Sequence, residues 1–236
     1  MIPTDKLSDC IRPFELTLTA QQCDYFNTYG KFLLEYNEKV NLTAITDPGE
    51  IAIKHFADSL LPLALTEIAP GASLIDVGTG AGFPGVPLKI VRPDIELTLL
   101  DSLAKRLKFL EELSTLLGQH NAFVHARAEM AGADPALRGR FDCATSRAVA
   151  QLAVLCEYCL PLLKIGGKML ALKGPGCGAE IAASQNAIAL LGGSVAAVRE
   201  YALADSGQRT LIVIEKIKST PKKYPRQRIK LSEKPL

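Results

Sequence analysis

The chain has 236 residues, 48% of them hydrophobic and 22% charged, with a formal net charge of +2. That is the composition of a soluble globular protein with one domain and an extension, and no uninterrupted apolar run approaches the ~18 residues of a membrane span. The opening M-I-P-T-D-K-L-S-D-C lacks a charged-then-apolar signal pattern, so a cytoplasmic address is expected, without membrane association. Six cysteines require no disulfide framework here, and the one close pair, Cys156 and Cys159, lacks the second pair or two-histidine motif of a structural zinc site, so no metal is expected. The charge is uneven. Residues 215 to 236 hold eight basic residues (Lys216, Lys218, Lys222, Lys223, Arg226, Arg228, Lys230, Lys234) against Glu215 and Glu233, which suits a polyanion such as RNA and equally suits a solvated tail.

From Thr19 to Val40 the apolar positions Cys23, Phe26, Tyr29, Phe32, Leu33 and Tyr36 recur at three and four, predicting an amphipathic helix. Asp47-Pro48 opens a second helix, with Asp47 as its cap, Pro48 in its first turn and Ile51, Ile53, Phe56 and Leu60 as its apolar contacts. Residues 1–70 thus read as a helical extension. After Pro70-Gly71, β-rich runs at Ser73 to Val77, Glu96 to Leu100, Ala122 to Ala126, Asp142 to Ser146 and Lys168 to Leu172 alternate with helical stretches at Gly85 to Val91, Leu103 to Leu117, Gln151 to Leu163 and Gly178 to Leu191. Such alternation signals five strand-helix units and a parallel α/β sheet. Ser194 to Tyr201 and Thr210 to Ile214 flank A-L-A-D-S-G-Q-R with its Asp-Ser-Gly turn signal, so the sheet should close in a hairpin. The expected architecture is α/β, with a seven-stranded, mostly parallel sheet and an antiparallel last strand over 71–216, followed by a basic tail over 217–236.

The first strand runs into L-I-D-V-G-T-G-A-G-F-P-G, in which Gly78, Gly80, Gly82 and Gly85 allow positive φ and close approach of the backbone to a ligand. In an open parallel sheet a ligand binds beyond the carboxyl ends of the strands, where strand order reverses. Gly80-x-Gly82-x-x-Gly85 formally fits a dinucleotide fingerprint, which on its own is a weak signal. Asp76, two residues before the first glycine, suits an ammonium group better than a pyrophosphate and so favours S-adenosylmethionine. Asp101 closes the next strand, where a carboxylate can accept from both ribose hydroxyls of either cofactor. The antiparallel closing strand looks like the class I (Rossmann-like) methyltransferase fold and tips the balance toward methyl transfer.

The chain also resembles the RsmG (GidB) family, which methylates N7 of a guanine in small-subunit (16S) ribosomal RNA. The resemblance covers most of the chain and rests on Y-N-E-K-V-N-L-T-A-I (Tyr36 to Ile45), K-H-F-A-D-S-L (Lys54 to Leu60), D-V-G-T-G-A-G-F-P-G-V-P-L (Asp76 to Leu88), L-L-D-S-L-A-K-R (Leu99 to Arg106), S-R-A (Ser146 to Ala148) and A-L-K-G (Ala171 to Gly174). It implies a cofactor loop containing Gly78 and Phe83, Asp101 at the ribose with Leu103 beside the adenine, Ala128 and Glu129 at the adenine edge, and Arg147 at the methyl-donor end. An ordinary helix N-terminal acid is the lesser alternative for Glu129. At the carboxyl end the family often reads Y-P-R-K-A-G-T-P, and this chain reads Y-P-R-Q-R-I-K-L.

Guanine N7 carries an in-plane lone pair, so its methylation needs no proton removed, and no catalytic acid or base is assigned. Arg147 offers forked donors to guanine O6 or to the cofactor carboxylate, and Lys173 reads as a phosphate contact or a solvated lysine. His55 and Asp58, three apart, are expected to share a helix face, either shaping the substrate side or anchoring the helix to the core. Cys143 lies in a strand, where a thiol packs as a small apolar group. The expected partner is small-subunit ribosomal RNA or the small ribosomal subunit, and the expected state is a monomer. A nicotinamide oxidoreductase and a non-catalytic RNA-binding assembly factor are the alternatives. Removing residues 217–236 should weaken RNA binding and spare cofactor binding.

Overall fold

A computed structural model of the protein describes residues 1–204, 206–227 and 231–236; Asp205 of the expected hairpin turn and Arg228 and Lys230 of the basic tail lie outside the described residues. Seven strands, β1 (Ser73–Val77), β2 (Glu96–Asp101), β3 (Ala122–His125), β4 (Phe141–Arg147), β5 (Leu163–Lys173), β6 (Gly193–Leu203) and β7 (Gly207–Lys216), form one sheet in the order β3-β2-β1-β4-β5-β7-β6. The first five run parallel, and β7 lies antiparallel between β5 and β6. Strand order reverses at β1, with β2 on one side and β4 on the other, and this opens a crevice at their carboxyl ends. β1 is buried on both faces, which is why it reads as an apolar run rather than an alternation.

The N-terminal region contributes α1 (Thr4–Ile11), α2 (Ala20–Asn37), α3 (Pro48–Glu50), a π-helical segment (Ile51–Ala57), α4 (Asp58–Leu60) and α5 (Pro62–Leu65). Helix α2 starts at a capping box: Thr19 Oγ1 accepts from Gln22 N at 3.2 Å while Gln22 Oε1 accepts from Thr19 N at 2.8 Å. It stops three residues short of the expected Val40. Asn37 turns the chain there, its Oδ1 accepting from Leu42 N and Thr43 N (2.8 and 3.0 Å) and its Nδ2 donating to Thr43 O at 3.0 Å. The expected second helix begins as read, with Asp47 Oδ1 accepting from Glu50 N at 2.8 Å, and then widens into the π segment. Helix α1 is an addition to the expected elements; its Leu7, Cys10 and Ile11 bury at helical spacing, in a stretch too short for periodicity to mark.

The remaining helices are α6 (Gly85–Val91), α7 (Ala104–Leu116), α8 (Ala128–Ala131), α9 (Leu152–Cys159), continued by a 3₁₀ turn over Leu160–Leu162, and α10 (Gly178–Leu190). Adjacent residues of each strand enter opposite cores. Leu74, Leu97, Leu99 and Leu172 meet α6, α7 and the N-terminal helices on one face, and Ile75, Val77, Leu100 and Ala171 meet α9 and α10 on the other. Ile2, Leu7, Ile11, Phe26, Leu33 and Phe56 therefore lie in the same core as β1 and β2, and the N-terminal extension is half of the sheet's cover.

The carboxyl-terminal segment is docked as well. Arg138 donates from Nη1 to Gly132 O and Tyr224 O and from Nη2 to Thr220 O, each at 2.8 Å. Lys216 is buried and donates to Leu160 O at 2.6 Å, to Leu191 O at 3.0 Å and to Thr220 Oγ1, so one ammonium ties the carboxyl ends of two helices to the tail. Arg226 grips the fully buried Glu157 of α9 with Nε and Nη2 (2.7 to 3.1 Å), while its backbone N–H donates to the same carboxylate at 2.7 Å. Residues 215 to 236 are therefore neither wholly a handle for a polyanion nor wholly a solvated tail: Lys216 and Arg226 serve the fold, and Lys218, Lys222, Lys223 and Lys234 remain exposed. Truncation before residue 217 would strip the partner from a buried carboxylate, so loss of stability is its expected first effect.

Candidate functional site

A cleft of about 540 Å³ opens at the carboxyl ends of β1, β2 and β4. Gly78, Gly80 and Phe83 of the glycine loop, Asp101, Ala128 and Glu129 line it on the sheet side, and Thr43, His55 and Arg147 line it from the N-terminal helices and the end of β4. Gly78 has φ +72°, and a Cβ there would stand 2.7 Å from Val149. At Gly82, φ +100°, a Cβ would press on the Tyr29 hydroxyl, Val86 and Leu110, all under 3 Å. Tyr29 donates its hydroxyl to Ala81 O and stacks on Phe83 with ring centroids 5.4 Å apart, so α2 holds the glycine loop in place.

Asp76 does not line the cleft. It is fully buried, Oδ2 accepting from Thr79 Oγ1 at 2.7 Å and Gly85 N at 3.0 Å, and Oδ1 from Thr145 Oγ1 at 3.2 Å. Burial pushes its carboxyl up to about 6 against those three hydrogen bonds. Its position turns it inward to tie the glycine loop and the first turn of α6 to β1, in place of the expected contact with an ammonium.

Asp101 does line the cleft. Its Oδ2 accepts from Gly80 N at 3.0 Å and from Arg106 Nη1 at 3.3 Å, and its Oδ1 accepts from Leu103 N at 2.9 Å. Leu103 therefore enters through its backbone; its side chain is 41% exposed and lies off the cleft wall, against the expectation of a cover for a ring. Glu129 sits in the first turn of α8 and on the cleft wall, 3.4 Å from Arg127 Nη1.

Arg147 organises the opposite wall. Its Nη1 donates to Lys54 O (3.1 Å), His55 O (3.3 Å) and Asp58 Oδ2 (3.0 Å), its Nη2 donates to His55 Nδ1 (3.3 Å), and its guanidinium lies 4.8 Å over the Phe83 ring. The other Asp58 oxygen accepts from Tyr201 Oη at 2.9 Å, and His55 stacks on Phe83 at 4.5 Å. Arg147 stands on this wall with its fork holding the π segment, and Asp58 is buried behind it. Lys173 is also turned away, donating to Ala150 O at 2.8 Å and Glu180 Oε1 at 2.7 Å, and is absent from the cleft lining; the expected phosphate contact is corrected to an anchor for the loop after β4. Thr79, Thr145 and Tyr201 support the site without a role read for them in the sequence, and Tyr29, read there as an apolar helix position, acts through its hydroxyl as well; these contacts reach 3 to 143 residues along the chain. Thr43 lay within a quoted stretch without a role.

Burial, and then the charge of Arg147, pull the His55 imidazole down to about 3 from its ordinary 6.5. The unfolded chain therefore takes up this proton first as pH falls, and His55 costs stability between about pH 6.5 and 3. Asp76, raised above its ordinary 3.8 to about 6, acts with the opposite sign, its contribution growing as pH falls through that window. His55→Gln keeps the second effect and removes the first, so its urea midpoint should drop less than that of the wild type between pH 7 and pH 5. An equal drop would show that the imidazole is not held neutral. The thiols of Cys143 and Cys156, which burial pushes up to about 11 and about 12, pack as apolar groups.

A parallel sheet closed by an antiparallel seventh strand, with a glycine loop after β1 and a carboxylate ending β2 in one cleft, defines a class I methyltransferase fold. Solved structures agree on the fold: TrmN from Thermus thermophilus (TM-score 0.53, 20% identity, 67% of this chain and 48% of that one) and a ribosomal protein L11 methylase from Lactobacillus delbrueckii subsp. bulgaricus (TM-score 0.52, 17% identity, 70% and 79%). Residues 22–212 match the GidB family model, described as rRNA small subunit methyltransferase G, and the chain belongs to that family. Proteins named ribosomal RNA small subunit methyltransferase G are similar along nearly the whole length. That of Lactobacillus johnsonii is 52% identical, covering 93% of each chain, and that of Alkaliphilus metalliredigens is 48% identical, covering 98% of this chain and 97% of its own. Among the described residues no helix is long and apolar enough to cross a membrane.

Proposed function

We propose that the protein transfers a methyl group from S-adenosylmethionine to N7 of a guanine in small-subunit (16S) ribosomal RNA, as a cytoplasmic monomer. The observation that carries this reading is that one cleft gathers Asp101 and Glu129 together with Phe83, His55 and Arg147, in a chain of this family. The residues fit the cofactor. The Asp101 carboxylate lines the cleft, where two backbone N–H groups and Arg106 Nη1 pre-orient it and leave one of its roughly four acceptor sites for a ribose hydroxyl. The Ala128 backbone and the Glu129 carboxylate supply a donor and an acceptor for an adenine edge. The cofactor supplies an electrophilic methyl on a sulfonium.

The protein's task is then to hold an in-plane lone pair in line with that methyl and to exclude water. The reaction would need no base, and none of the cleft's titratable groups, Asp101, Glu129 and His55, is assigned as one: the N7 lone pair would displace the sulfur from the methyl carbon, so that the sulfonium's positive charge would end on the purine without proton transfer. His55, neutral and engaged at both nitrogens, adds no charge of its own to its wall of the cleft, where Arg147 is paired with Asp58. Lys54, Lys39 and the exposed lysines of the tail supply positive charge for the RNA backbone. The family match favours this reading over a nicotinamide oxidoreductase or a non-catalytic assembly factor.

Labelled S-adenosylmethionine incubated with the protein and small subunits lacking the modification tests the proposal. One stoichiometric 7-methylguanine is expected, and NAD(H) should give no thermal protection. Methyl transfer to another atom, or none from a protein that binds the cofactor, would overturn it. Asp101→Ala should weaken cofactor binding about 10- to 100-fold in calorimetry, since hydrogen bonds to a charged group contribute about 1.5–3 kcal/mol. A change below threefold would remove Asp101 from the cofactor site.

A further inference from the structure

We infer that Thr43 selects the target base: its hydroxyl donates a hydrogen bond to the O6 oxygen of the guanine, beside the N7 that receives the methyl. The inference rests on the guanine-N7 reading above and adds a residue that discriminates between purines.

The argument starts at the guanidinium. Arg147 is always protonated, so its Nη2, 3.3 Å from His55 Nδ1, donates, and Nδ1 accepts. That fixes the imidazole as neutral with its proton on Nε2, in agreement with the depressed titration of His55. Nε2 lies 2.8 Å from Thr43 Oγ1 and therefore donates to it. Thr43 Oγ1 also accepts the Ile45 backbone N–H at 3.0 Å. A hydroxyl has two lone pairs and one hydrogen. Both lone pairs are occupied, so Thr43 can only donate, and its side chain lines the cleft. Asn37, which receives the backbone N–H of Thr43 at 3.0 Å and donates to its carbonyl, sets the residue at that point of the wall.

An obligate donor reads acceptors. On the edge that carries N7, guanine presents N7 and O6, both acceptors, whereas adenine presents N7 beside an amino donor. A hydroxyl that cannot accept leaves the adenine amino group facing another donor without a partner. The chain Tyr201–Asp58–Arg147–His55 thus serves to orient one hydrogen, with His55 as a positioning residue.

The test compares wild type, Thr43→Val and Thr43→Ser on small-subunit RNA assembled into subunits with guanine or 2-aminopurine at the target; 2-aminopurine keeps N7 and lacks O6. Wild type should lose roughly 10- to 100-fold in kcat/KM on 2-aminopurine, the range of one base-reading contact. Thr43→Val should lose a similar factor on guanine and show little further loss on 2-aminopurine, with cofactor affinity unchanged. Thr43→Ser, which keeps the hydroxyl and both of its acceptor bonds, should retain most of the discrimination even if the valine variant disturbs the loop. The inference is overturned if Thr43→Val stays within twofold of wild type on guanine, if it discriminates as wild type does, or if its cofactor affinity falls in step with activity, which would assign the hydroxyl to the cofactor carboxylate. If wild type forms no 7-methylguanine on guanine-bearing subunits, the guanine-N7 reading itself fails and takes the inference with it.

Discussion

Arg147→Met is expected to cost about 3–5 kcal/mol of folding stability and to reduce methyl transfer at least 100-fold. The methionine removes the one cation paired to Asp58 among the described residues, where the Asp58 side chain is 7% exposed, and takes the Arg147 donor from two carbonyls of the π segment and from His55 Nδ1. An uncompensated buried carboxylate dominates that sum, because breaking one half of a buried pair costs far more than the intact pair contributes. Arg147→Lys should recover part of the stability through Asp58 and little of the activity. A single ammonium cannot reach Asp58, the two carbonyls and the imidazole together in the fork's geometry. Urea denaturation and initial rates measured together check both statements; a stability loss under 1 kcal/mol for the methionine variant would mean that Asp58 is adequately solvated without its partner.

Arg226→Ala is expected to destabilise the fold by a comparable about 3–5 kcal/mol, although it changes an arginine in a segment whose composition suggests a solvated arm. Glu157 has a side-chain exposure of 1% and takes three side-chain contacts and one backbone N–H from Arg226. The paired change Glu157→Leu with Arg226→Met should restore most of the loss, since a well-packed apolar replacement removes the desolvated charge together with its partner. Lys222→Ala and Lys223→Ala, both exposed, should leave stability within about 0.5 kcal/mol and lower RNA affinity with a shallower salt dependence. If Arg226→Ala matches them, the buried pair is not what holds the tail.

The contrast between Arg226 and Lys222 shows where sequence reasoning reaches its limit here. Five parallel strands, the antiparallel closing pair and the cleft at β1 follow from local alternation and turn residues, and each signal extends over a few consecutive positions. The position of Asp101 at a strand end follows from the same logic. The direction of a side chain does not, because it depends on what arrives from elsewhere. Asp76 turned inward because Thr79, Gly85 and Thr145 together offer it three donors, and Lys173 turned away because Glu180 stands in the first turn of α10. Arg147 was legible as a residue of the site, but its role as a clamp needed Asp58 and the π segment, 89 residues back in the chain. Thr43 carried no periodic or compositional signal, since a hydroxyl's donor character is set only when both of its lone pairs have been filled.

The sheet order has a consequence for synthesis. β7 is the last strand made, yet it lies between β5 and β6, pairing with each. As the chain grows from its amino end, β5 and β6 are therefore complete before the strand that joins them exists. Tyr224 and Arg226 then seal the second core only after β7 has been made. A nascent chain that ends before β7 exposes a strand edge beside β5 and leaves Glu157 without Arg226, so the first species able to close both cores is one that extends past Arg226. Ribosome-bound chains arrested before residue 207 should accordingly be cleaved by protease throughout the sheet, and chains released past residue 226 should resist.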